Sequence, residues 1–363
     1  MRLSADAGLW GTGSLDDAVP LVAVLEVSGA VLSWTVDGRA GEPPVLSFTD
    51  PERADWMWRV LGESGHVAVL DVVRHRQPGQ PIDLAGVELV PGSLDALRRL
   101  AIGHWLRRWW PASDRDGIAA LERPVLDAEL ALLTVAAEDY FSDETLDSDV
   151  LGLLSPHTEA LNFSFGQGDP RVDELIGKCR ELAADVGLDW SDTVSTGARR
   201  QDYALAAGAG DGPSRPGVIA RGLATVAWSA VPPGVFDAAE DTIEWSVTAG
   251  VEGADAVVQV ALLGPDSPSG VAVRLRAIGC IGSGVLDAAG RAVLALRTPD
   301  GQRLSETQAW NLDWSDTAVR IGAADVDESA FDRDRARAFA RSRLAQPGSD
   351  AFLAELRAAE SDY

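Results

Sequence analysis

Apolar and polar positions alternate strictly in "AVLSWTVDG", where Leu32, Trp34 and Val36 fall on one face and Ser33 and Thr35 on the other, before the pair Asp37-Gly38. A period of two that ends in a turn dipeptide predicts a strand. The next stretch, "DPERADWMWRVLG", changes period. Ala54, Met57, Trp58 and Leu61 lie three or four apart, Asp50-Pro51 suits a helix start and Gly62 suits its end. "HVAVLDVV" (66–73) and "IDLAGVELV" (82–90) are short apolar runs that predict two more strands. Residues 1–92 thus read as a small α/β unit.

From 93 to 193 the helical period dominates. Leu126, Leu130, Leu133, Ala137 and Tyr140 form one stripe. "DPRVDELIGKCRELAADVG" forms another, running from Val172 through Leu175, Ile176, Cys179, Leu182 and Ala183 to Val186, with Asp169-Pro170 to start it and Gly187 to stop it. This helical region and residues 1–92 can pack as one domain. Residues 194–217 are rich in Gly, Ala, Ser and Pro without a sustained period, as in a linker or exposed loop.

Beyond it the period of two returns in "TIEWSVT", "AVVQVALLG", "VAVRLRAIG" and "VLDAAGRAVLALRTPDGQRL". Strands at this spacing without intervening helices predict a C-terminal antiparallel β-sandwich over 218–325. Residues 326–363 return to helix, over 328–344 and again over 349–359. The fold class expected is therefore α+β and multidomain: an N-terminal α/β unit, a central helical region, and the sandwich with its helical tail.

The hexapeptide "LDWSDT" occurs at 188–193 and at 312–317. A duplicated domain would carry matching periods on both flanks, and these flanks do not align. The repeat reads as one local turn used twice, with Asp and Ser side chains bonding nearby amides and Leu and Trp as anchors.

Composition narrows the function. The 363 residues are 46% hydrophobic and 24% charged, a balance that suits packed domains rather than disorder. The net charge of −25 opposes binding to nucleic acid or anionic membranes, so neither is expected as a partner. Lys178 is the only lysine among 31 basic residues, which reads as the codon bias of a GC-rich genome. No apolar run approaches the roughly eighteen residues of a membrane helix, and the first residues lack a signal pattern, so a cytoplasmic location is expected.

The chemistry-bearing residues are sparse. Asp189, Ser191 and Asp192, like Asp313, Ser315 and Asp316, lack the glycine-bent frame and distant carboxylate of a calcium loop. No serine stands in G-x-S-x-G, and "GCIGSG" around Cys280 lacks the Lys-Ser/Thr of a phosphate loop. Cys179 sits on an apolar stripe, and His66, His75, His104 and His157 are scattered without metal-ligand spacing. No metal, no cofactor and no catalytic residue is therefore expected.

The unusual segment is "GHWLRRWWP" (103–111), which ends a helix begun near Ser93. Leu94, Leu97, Ala101 and Trp105 share one face, Trp109 lies close to it, and Trp110 points about 100° away. Arg98, Arg99, Arg107 and Arg108 spread around the cylinder, as on a helix enclosed on most sides. Trp and Arg dominate interface energetics, which makes Arg107 and Trp110 the candidate partner-binding residues. In the tail, Arg333, Arg337 and Arg341 lie on one helical line, read as a solvated face or a contact with an acidic partner.

These features point to a non-catalytic adaptor or scaffold subunit of a bacterial cytoplasmic multiprotein assembly, with one or more protein partners. Two alternatives stay open: a hydrolase whose site is assembled from distant residues, and a ligand-binding protein that stacks a flat ligand on Trp228, Trp245, Trp310 or Trp314.

Overall fold

The computed structural model describes residues 1–6, 9–13, 15, 19–39, 41–75, 81–138, 140–141, 147–190, 217–323 and 328–361. The expected linker, 194–217, lies outside these residues except for Gly217. The chain is α+β and divides into two compact units. One is Met1–Trp110 with Leu121–Ser195 and Ala330–Tyr363, and the other is Pro111–Ala120 with Thr196–Ser329.

The first unit opens with strands β1 (Arg2–Asp6), β2 (Leu9–Gly11), β3 (Val22–Val27), β4 (Ala30–Thr35) and β5 (Val45–Phe48). With β6 (Ile82–Asp83) they form an antiparallel sheet of order β3-β4-β5-β2-β1-β6. The alternation read in sequence holds in β4, where Ala30, Leu32 and Trp34 are buried.

Two strand expectations fail here. Residues 66–73 are helical, within α1 (Met57–His75). Gly62 interrupts the helical backbone at φ 71°, yet the chain resumes helix at once. The reason is a stripe that continues past it, because Leu61, Gly65, Val69 and Val72 are buried at helical spacing. Of 82–90, only Ile82 and Asp83 pair as strand, since Gly86 takes φ 74° and turns the chain.

The helical region supplies α2 (Asp95–Trp109), α3 (Arg123–Glu138), α4 (Asp147–Leu154), a 3-10 turn (Ser155–His157), α5 (Thr158–Ser164) and α6 (Pro170–Asp185). At the start of α6 the Asp169 carboxylate accepts from the Arg171 amide at 3.0 Å, the cap that the Asp-Pro pair announced. Cys179 on its stripe is fully buried.

The second unit holds β7 (Val218–Ala224), β8 (Ile243–Gly250), β9 (Gly253–Val260), β10 (Ala272–Ala277), β11 (Cys280–Val285), β12 (Arg291–Ala295), the short α7 (Glu306–Asn311) and β13 (Ala318–Ile321). They build two antiparallel sheets, of order β12-β9-β8-β7 and β11-β10-β13. One apolar core takes residues from both, among them Trp245, Val258, Leu275, Leu294 and Ile321. The glycines of "GCIGSG" are a packing device. A Cβ on Gly282 would lie 2.9 Å from Leu296 Cδ2, and one on Gly284 would lie 2.8 Å from Leu294 Cδ2.

The second "LDWSDT" is a turn closing α7. Asp313 accepts from the Ser315 amide at 2.9 Å, and the Trp314 indole donates to the Ala309 carbonyl at 2.9 Å. Of the first copy only Leu188, Asp189 and Trp190 are described, and the Trp190 indole donates to Asn162 Oδ1 at 2.7 Å.

The chain then returns to the first unit with α8 (Ala330–Ala345) and α9 (Leu353–Ser361). These units divide the chain differently from its linear order, because Phe352 beside α9 is fully buried against α2. The basic line on α8 is a solvated face only at Arg341, which is exposed. Arg333 and Arg337 are buried, at 7% and 2% exposure, and Arg335 pairs with Asp37 at 2.8 Å instead.

Candidate functional site

Helix α2 is enclosed on most sides, with Leu97, Leu100, Ala101, Ile102, Gly103, Trp105 and Leu106 all buried. Its arginines are used inside the unit. Arg99 pairs with Glu129 at 2.5 Å, Arg98 with Asp350 at 3.9 Å, and the Arg108 guanidinium lies 4.4 Å from the Trp109 ring centroid. The Trp105 indole donates to the Pro20 carbonyl. Trp110 is half-buried at the C-cap, where its amide donates to the Leu106 carbonyl.

Arg107 reaches Asp127, a fully buried carboxylate on α3. Arg107 Nε donates to its two oxygens at 3.0 and 3.2 Å, Arg123 Nε to Oδ2 at 3.0 Å, and His157 Nε2 lies 3.0 Å from the same oxygen. Burial pushes the Asp127 carboxyl up, but the His157 hydrogen bond and the charges of Arg123 and Arg107 outweigh it and hold the group below the usual carboxylate range. Scattered in sequence, Asp127, His157 and Arg123 meet here with Arg107. The cluster binds its own charges together and presents no nucleophile or convergent open position, as a structural network does.

A turn earlier on α2, His104 looks into a groove of about 420 Å³. One wall is the edge strand β3 and its turn, residues 24–29. The other is Leu100 and His104 of α2, Thr134 and Ala137 of α3, and Phe141, with Asp149 at the rim. Burial, and next the charge of Arg107, push the His104 imidazole below its ordinary value, so it is neutral near pH 7.

The backbone of β3 explains what the groove offers. Strand β3 pairs with β4 on one side, and among the described residues nothing pairs with it on the other. The Val36 amide donates to the Leu21 carbonyl at 2.9 Å, so residues 21, 23, 25 and 27 bond toward β4. Val22, Val24 and Glu26 therefore direct their N–H and C=O groups outward, along the groove. Ala23 and Leu25 fill the core while Val24 and Glu26 are exposed.

A second cleft in this unit, of about 640 Å³, is walled by Trp34, Pro43, Pro44, Val87 and Pro91, with Arg98 at one end. Among the described residues no three His, Cys, Asp or Glu side chains are grouped to hold a metal ion, and no helix is long and apolar enough to cross a membrane. Of the tryptophans considered for stacking, Trp228 and Trp245 are buried at 7% and 6%, while Trp310 is 55% exposed. Comparison with family models, curated proteins and solved structures finds no match for this chain.

Proposed function

We propose that the chain is a non-catalytic adaptor or scaffold subunit of a bacterial cytoplasmic assembly, and that it captures an extended segment of a partner protein along β3. The observation that carries this reading is the open edge of β3 beside a groove with an apolar floor. Outward backbone groups at Val22, Val24 and Glu26 can pair with an added strand, and Leu100, Ala137 and Phe141 can receive alternate side chains. Neutral His104 supplies one polar contact. Glu26 and Asp149 at the rim favour a segment with a basic residue. Arg107 and Trp110 stay in this reading as candidate partner contacts outside the groove, whose lining includes neither.

The test is selection of short random peptides against the purified chain, repeated with Val24→Pro. Proline removes the outward N–H, and an edge position facing solvent is where a sheet tolerates it. The selected peptides should show alternating apolar residues and should lose binding to the variant, whose melting stays close to the parent's. Equal binding by parent and variant would contradict strand addition.

A further inference from the structure

The outer face of β11-β10-β13, in the second unit, concentrates positive charge on an acidic chain. Alternation in β10 sends Val273, Leu275 and Ala277 into the core and leaves Arg274 and Arg276 exposed. Register places Arg274 directly opposite Arg320 of β13 and Ser283 of β11, and Arg276 opposite Ile281 and Ala318. Ile281 in turn bridges to Arg297, whose Nη1 donates to the Gly301 carbonyl at 2.9 Å. Like charges directly opposite on neighbouring strands are destabilising. The chain carries 56 acidic residues against 31 basic ones, yet among the described residues the Arg274 and Arg276 guanidinium groups make no hydrogen bond or ion pair.

We infer that this face docks a carboxylate-rich, extended segment of a partner protein. Arg274 and Arg276 are two residues apart on one strand, about 6.6–6.8 Å along it. Carboxylates at alternate positions of an extended chain have the same spacing, and guanidinium forks match them bidentately. Nucleic acid fits less well. A single strand is held on aromatic platforms, and the residues exposed on these three strands include none. A duplex would also meet the field of a chain with net charge −25. This surface lies wholly within the second unit and stands independently of strand addition at β3.

The experiment measures fluorescence polarisation of a labelled peptide of alternating Glu and Val, and of a labelled single-stranded oligonucleotide, against the full chain. It compares the parent, the double variant Arg274→Ser/Arg276→Ser, and Val24→Pro. Both arginines are exposed, so the double variant should melt with the parent. The parent should bind the peptide, the double variant should bind it on the order of tenfold more weakly, and Val24→Pro should bind it as the parent does. Three results would overturn the inference: no binding of the peptide by the parent, undiminished binding by the double variant, or tighter binding of the oligonucleotide than of the peptide.

Discussion

Replacing Asp127 by Asn removes one negative charge from a buried position in an ion cluster of the first unit while keeping the side chain's shape. The amide retains a single oxygen and turns a donor toward groups that are themselves donors, Arg107 Nε, Arg123 Nε and His157 Nε2. Breaking a fully buried ion pair by removing one partner costs about 3–5 kcal/mol. Here the Arg107 and Arg123 side chains are 36% and 38% exposed, so water recovers part of their solvation, and the expected loss falls to about 2–3 kcal/mol. For a unit of this size that lowers the melting temperature by about 4–12 °C. Calorimetry followed across pH gives a second reading. The folded Asp127 is held below its unfolded pKa, so its contribution is fully present above about pH 4 and is lost as pH falls through the folded value. The gap between parent and variant should therefore narrow as pH falls below about 4. A variant that melts with the parent near pH 7, or a gap that widens in acid, would refute the assignment of Asp127 as the ionised centre of the cluster.

Two glycine-to-alanine changes should move stability in opposite directions, measured by thermal melting. A Cβ on Gly103 would lie 2.4 Å from Leu130 Cδ2 and 2.6 Å from Phe352 Cζ, both fully buried, so Gly103→Ala should lose about 1–2 kcal/mol net of its helix-propensity gain. Gly177 on α6 has nothing within 4 Å of such an atom, so Gly177→Ala should gain up to about 1 kcal/mol. Burial pushes the Cys179 thiol up to about 12 and raises that of Cys280 as well. Neither should take a maleimide in the native protein, and both should be labelled in denaturant, as mass spectrometry would show.

Local signals on this chain were legible where one residue type answers one backbone need. Asp169-Pro170 capped α6, Gly187 took φ 73°, and the alternation of Ile243, Trp245 and Val247 became the buried face of β8. "HVAVLDVV" misled because a short apolar run does not distinguish a strand from a buried helix. The stripe that decides it, Leu61 to Val72, straddles the glycine that reads as a stop. Asp127 was hidden beside Leu126 on an apolar stripe, and its partners come from α2, α3 and the turn before α5. The groove beside β3 was illegible for a different reason. The first strands of the hairpin look alike in sequence, and only the order β3-β4-β5 makes β3 an edge, which is a matter of long-range pairing.

The central claim is that β3 receives an added strand, and amide hydrogen exchange resolved by residue tests it most directly. In the free chain the Val22, Val24 and Glu26 amides point away from β4 and should exchange rapidly, while Ala23 and Leu25, bonded to β4, are protected. Saturation with a selected peptide should slow Val22, Val24 and Glu26 and leave the outer face of β10 unchanged. If those three amides are already protected in the free chain, or stay fast with peptide bound, strand addition at β3 is contradicted.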